Sequence, residues 1–99
     1  MVGRVMSHPA RVAILLALAR EGSASPSSAA SAASVSLGSC SYHMHTLMAL
    51  GVVRLRATRP VRGAVEHFYE LTGDGRAALR AIEAVVALEP AHRGSTQSR

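Results

Sequence analysis

The chain has 99 residues, with 11 Lys plus Arg against 6 Asp plus Glu, one cysteine and no tryptophan. That bounds it to one small domain and argues against a multi-domain enzyme. Of its 48 hydrophobic residues 18 are alanine, so Val, Ile, Leu and Phe supply only 23 positions for a core, thin enough that a partner subunit would help. The net charge of +5 rests on arginine alone, because there is no lysine, and it points to an acidic partner. Arginine suits bidentate contact with phosphate or guanine, although a GC-rich genome produces the same Ala- and Arg-rich bias.

Cys40 has no intrachain partner and lies in an apolar, uncharged neighbourhood, which predicts a reducing, cytoplasmic setting. No apolar run approaches the roughly 20 residues of a spanning helix, so no membrane segment is expected. The stretch VAILLALA at 12–19 imitates the middle of a signal peptide, but Arg20 and Glu21 follow directly and Pro9 opens it as a helix start would.

Residues 1–6 form an N-terminal segment, and the first helix is predicted from 7 to about 21, with Ser7 as N-cap and Pro9 in the first turn. Val12, Leu15, Leu16 and Ala19 make its apolar stripe, Arg11 and Arg20 its polar edge, and Gly22 its stop. Residues 23–34, SASPSSAASAAS, read either as a flexible linker or as a short helix. Capping by Ser25 before Pro26, and a small face of Ala29, Ala30 and Ala33, favour the helix. The next helix is expected from Ser36 as N-cap to about Leu50, closed by Gly51, with Cys40, Met44 and Leu47 buried. Ser39, Tyr42, His43 and Thr46 would then form a polar, acid-free opposite face suited to the floor of a DNA groove.

From Val52 the period changes to two, Val53, Leu55 and Ala57 alternating with Arg54, Arg56 and Thr58. The tip Arg59-Pro60-Val61-Arg62-Gly63 reads as a turn, and AVEHFYEL at 64–71 as the returning strand of a hairpin. Arg54 and Arg56 should face solvent, while either Val65, Tyr69 and Leu71 or Ala64 and Phe68 point inward. Four of the 11 arginines fall within nine residues, a crowding that calls for a polyanion or solvent. Thr72 should cap a last helix over 73–89, with Leu79, Ile82, Val85 and Val86 on one side and Pro90 ending it. Residues 90–99 are expected to be a disordered tail.

The order helix, short helix, turn, helix, basic hairpin, helix is that of a winged helix-turn-helix domain, mainly α with a small β-hairpin wing, over 7–89. In that arrangement the second helix of the pair enters the major groove and its partner braces it over the backbone. Ser7-His8-Pro9-Ala10-Arg11, the run from Ser36 to Met44, LMALGVV at 47–53 and HFYELT at 67–72 carry a resemblance to the bacterial ArsR-like winged-helix transcriptional regulators, covering roughly 7–88. The resemblance implies a homodimer formed by the terminal helices, with Leu79, Ile82, Val85 and Val86 at its interface. It also implies a recognition helix bound to double-stranded DNA through Ser36, Ser39, Ser41, Tyr42, His43, His45 and Thr46, and a wing using Arg54, Arg56, Arg59 and Arg62. Family members usually carry an inward leucine and a turn glycine in the middle helix; Ala29 or Ala33 and Ser34 stand there instead, making the scaffold slight.

Many members sense metals, but the paired-cysteine motif is absent, and His43 and His45, about 200 degrees apart around a helix, cannot chelate one ion. An intersubunit site from His8, His67 or His92 is left open; no cofactor is expected. The six acids are scattered, with no nucleophile elbow or phosphate-cradling loop, so no enzyme is expected. The expected function is a sequence-specific DNA-binding regulator, a homodimeric repressor. The alternatives are a protein-interaction module using the apolar face at 82–88 and a nonspecific architectural DNA binder.

Overall fold

The computed structural model describes residues 2–88, ordered α1 (Val2–Met6), α2 (Pro9–Glu21), α3 (Pro26–Ala33), α4 (Leu37–Ala49), β1 (Val53–Val61), β2 (Ala64–Leu71) and α5 (Gly73–Leu88). The expected winged helix-turn-helix, mainly helical with one antiparallel hairpin, is what the chain forms. Glu89, the stop at Pro90, the tail 90–99 and His92 lie outside the described residues.

The N-terminal segment carries α1, whose Val5 is fully buried in the same core as α2. Ser7 is not the cap of α2. Its hydroxyl donates back to the Arg4 carbonyl at 2.9 Å, closing α1, and His8 takes the N-cap position without a side-chain bond. Serine three residues after a free carbonyl at a helix end bonds locally in this way.

Helix α2 is the hub, packed against α1, α3, α4, β2 and α5. Ile14, Leu15, Ala17 and Leu18 are buried, whereas Ala19 is exposed. The expected stripe was displaced because residues 12–19 are apolar on every side, so periodicity carries little phase there. Burying an aliphatic side chain contributes about 2 kcal/mol, so Ile14, Leu15 and Leu18 are a large part of a core this small.

The segment 23–34 resolves to the helix. Ser25 accepts a hydrogen bond from the Ser28 amide at 3.2 Å, Pro26 opens α3, and Ala29 and Ala30 are buried. Ser34 takes the left-handed conformation (φ 59) where a glycine is usual, and the Val35 amide reaches back to the Ala30 carbonyl at 3.0 Å. Upstream of α3, Ala24 exchanges two backbone hydrogen bonds with Tyr69, at 3.0 and 2.9 Å. This bridge ties the α2–α3 connection to the hairpin, and nothing in a serine-alanine run announces it.

The hairpin pairs Val53 with Leu71 and runs out to Val61 opposite Ala64, with an irregularity between Leu55 and Ala57. Arg59, Pro60 and Val61, expected in the turn, are strand residues; the turn is Arg62 and Gly63 alone. Both have positive φ, 52 and 81, as the twist-matched two-residue hairpin turn requires. Tyr69 and Leu71 point inward, but Val65 is exposed, because only the base of the hairpin reaches the core. Leu55 is likewise exposed, so the expected alternation holds for Val53 and fails beyond it.

Thr72 caps α5, accepting from the Gly75 amide at 3.0 Å and donating to the Gly51 carbonyl at 2.7 Å. The Thr72 amide bonds the Val52 carbonyl at 3.1 Å, which draws the first turn of α5 onto the α4–β1 corner. A Cβ at Gly75 would fall against the Val52 carbonyl oxygen and 3.4 Å from the Leu71 side chain. Gly75→Ala is therefore expected to lower stability by about 1–3 kcal/mol through backbone displacement, read as a reduced urea midpoint at unchanged slope.

Candidate nucleic-acid interface

Helix α4 is capped by Ser36, whose hydroxyl accepts from the Ser39 amide at 3.1 Å, as expected of an N-cap. Cys40, Met44 and Leu47 are buried, and His43 is buried with them. This corrects the expectation that His43 faces DNA. Its Nδ1 accepts a hydrogen bond from Arg11 Nε at 3.0 Å, and its ring packs 5.3 Å from those of His8 and Tyr42. Arg11, expected on a polar edge, is only 5% exposed, and its Nη1 donates to the Arg4 carbonyl at 3.0 Å. The missed signal is spacing: Cys40, His43, Met44 and Leu47 stand at i, i+3, i+4 and i+7, which puts His43 inside the buried stripe.

The outward face of α4 is turned by one residue from the expected set. Leu37, Gly38, Tyr42, His45 and Ala49 are exposed, Tyr42 most openly at 63%, while Ser39, Ser41 and Thr46 are half-buried. Thr46 donates its hydroxyl to the Tyr42 carbonyl at 3.3 Å and is occupied within the helix. Ser41, Tyr42 and His45 thus form one continuous polar strip, with Ser36 exposed at its N-terminal end. The strip carries no formal charge, so it can meet base edges without repulsion.

Beside it stands the wing. Arg54 and Arg56 are exposed, as expected, and so are Arg59 and Arg62. Their crowding is relieved within the hairpin, contrary to the expectation that a polyanion or solvent must account for it. Arg54 Nε bonds Glu70 Oε2 and Arg59 Nη2 bonds Glu66 Oε1, each at 2.8 Å, while Arg56 approaches Glu70 at 4.0 Å. The register sets Arg54 opposite Glu70 and Arg59 opposite Glu66, a pairing readable only once the turn is placed correctly. A groove of about 290 Å³, lined by Ser27, Leu37, Ser41, Val65 and His67 among others, separates the wing from the starts of α3 and α4.

Burial pushes the Cys40 thiol above its ordinary value, so it is a packing residue rather than a nucleophile. Among the described residues no group of three or more His, Cys, Asp or Glu is placed to hold a metal ion. No helix among them is long and apolar enough to cross a membrane.

A family model described as a helix-turn-helix domain matches residues 6–56, α2 to the start of the wing. The chain belongs to that family, and its fold is the winged helix-turn-helix of DNA-binding transcriptional regulators. A MarR-family transcription regulator superposes with a TM-score of 0.79 at 24% identity, covering 98% of this chain and 63% of its own. The transcriptional repressor BigR from Xylella fastidiosa gives 0.69 at 23%, covering 91% and 84%. BpsR from Bordetella bronchiseptica, whose DNA binding is regulated by 6-hydroxynicotinic acid, gives 0.69 at 21%, covering 87% and 70%. No curated protein matches the chain in sequence.

Desolvation first, then the charge of Arg11 and of His8, holds His43 below its ordinary value of 6.5. The unfolded chain therefore binds a proton at this position more readily than the folded one. Stability from this group is complete above about pH 6.5 and declines as pH falls below it. His43→Asn, which keeps an acceptor near Nδ1 but cannot titrate, is expected to flatten that decline in urea midpoints measured across the window. Arg11→Met, which strips the buried His43 Nδ1 of its donor and leaves the Arg4 carbonyl to the Ser7 hydroxyl alone, is expected to cost about 1–3 kcal/mol.

Proposed function

We propose that the chain is a sequence-specific transcriptional regulator that binds double-stranded DNA as a homodimer and represses by occluding a promoter. Helix α4 lies in the major groove, and the wing follows the backbone or enters the minor groove. The observation that carries this reading is the uncharged polar strip of Ser41, Tyr42 and His45 beside a hairpin with four exposed arginines. In this reading Tyr42 and His45 reach base edges, Ser36 and Ser41 meet the strand that α4 enters beside, Ser39 and Thr46 flank the contact, and His43 positions the helix. The work is cytoplasmic and non-catalytic.

The ArsR-like assignment rests on the four sequence segments quoted above, and repression is supported by the similarity to BigR. Fluorescence anisotropy with DNA from the protein's own upstream region, against scrambled DNA of equal length, tests the reading. Arg62→Ala is expected to weaken binding to both and reduce the salt slope by about 1, whereas Tyr42→Ala and His45→Ala each cost about 1–3 kcal/mol on the native fragment alone. Equal loss on both fragments from every variant would leave only the nonspecific architectural role.

The dimer is supported by an apolar trough of about 350 Å³ between α2 and α5, lined by Val12, Leu16, Leu79, Ile82 and Val86. Leu79 and Ile82 are already buried within one chain, so Val85 and Val86, both nearly half exposed, carry the contact with a second copy. Sedimentation equilibrium is expected to give twice the 10.3 kDa chain mass for the wild type, and a single chain mass for Val85→Asp. A wild-type mass of one chain at all concentrations would sink the dimer.

A further inference from the structure

We propose that Glu66 and Glu70 compete with DNA phosphate for the wing arginines, holding Arg59 and Arg54 against the hairpin and thereby lowering the affinity of the chain for duplexes of arbitrary sequence. This inference rests on the DNA-binding reading and deepens it, because it concerns how the wing distinguishes a polyanion from a site.

Glu66 and Glu70 are the two acids of the hairpin, and the register places each directly opposite an arginine. The acids are the less exposed partners, the Glu70 and Glu66 side chains 21% and 32% exposed against 64% for each arginine side chain, so the acids are held on the hairpin and the arginines fold down onto them. Arg59 is laid flat further by the Phe68 ring, 5.2 Å beneath its guanidinium carbon. Arg56 has only the 4.0 Å approach to Glu70, and Arg62, at the turn, makes no ion pair among the described residues. The free wing therefore offers two arginines readily and two that must first leave a carboxylate.

Nonspecific binding is phosphate neutralisation with release of condensed counterions. An arginine that leaves Glu66 or Glu70 for a phosphate strands a carboxylate beside the duplex, which recruits a cation and cancels about one released counterion. The complex most weakened is the one held by charge alone; where α4 also grips base edges, binding persists. If the pairs served only to stiffen the hairpin, their removal would lower stability and DNA affinity together, the opposite sign.

The experiment titrates a random-sequence duplex by fluorescence anisotropy at several salt concentrations with wild type, Glu66→Gln, Glu70→Gln and the double variant. Each glutamine is expected to tighten binding about three-fold, and both about ten-fold, with the salt slope steeper by about 1 per glutamate. Glu21→Gln, the same charge change at the end of α2, is expected to stay within about two-fold of wild type. Equal tightening from Glu21→Gln reduces the effect to net charge and overturns the proposal, as does unchanged or weakened binding by the hairpin variants. Wild type that binds no duplex at the lowest salt overturns the DNA-binding reading itself, and this proposal with it.

Discussion

Which side of α4 looks outward is decided by a buried cation. Arg11 sits almost out of solvent, with no carboxylate in ion-pair contact among the described residues, and it donates to two neutral acceptors, the imidazole of His43 and the carbonyl of Arg4. Each donor of a desolvated guanidinium left without a partner costs stability, so both acceptors hold it in place. One belongs to α4, and its engagement turns Tyr42 and His45 toward solvent. The other belongs to α1, which gives that five-residue helix a purpose beyond burying Val5: its Arg4 carbonyl accepts from both the Ser7 hydroxyl and Arg11.

The middle helix makes the same geometry possible by being small. Ala29 and Ala30 are the buried residues of α3, and short side chains let α2 and α4 both approach it closely, since interaxial distance follows the side chains between helices. The slight scaffold foreseen from the sequence is thus also a means of compaction. Ser34 completes it by accepting a left-handed backbone that costs a serine more than a glycine.

Most of the fold was legible because its boundaries rest on local chemistry. Ser25 before Pro26, Ser36 before its helix and Thr72 before Gly73 are side-chain caps, and each holds in the structure. What failed to be legible depends on tertiary partners. The phase of α2 was lost in an apolar run, the role of Ser7 depended on an unforeseen α1, and the Ala24 bridge to Tyr69 is a backbone contact without a side-chain signature. The candidate interface also divided. Tyr42 and the wing arginines are exposed as polarity and charge suggested, and His45 as the family resemblance implied, whereas His43 was misplaced although its i+3 spacing from Cys40 sets it in the buried stripe.

The wing is fastened at one end only. Val53, Tyr69 and Leu71 are buried and the Ala24 bridge grips its base, while from Arg54 outward β1 is exposed on both faces to the turn. An arm held in this way behaves as a lever whose fulcrum is the Tyr69 bridge. The interruption of the ladder at Arg56 is the point along it where bending disturbs the fewest hydrogen bonds. In the proposed complex, a groove of different width would be met by bending of the arm about that point.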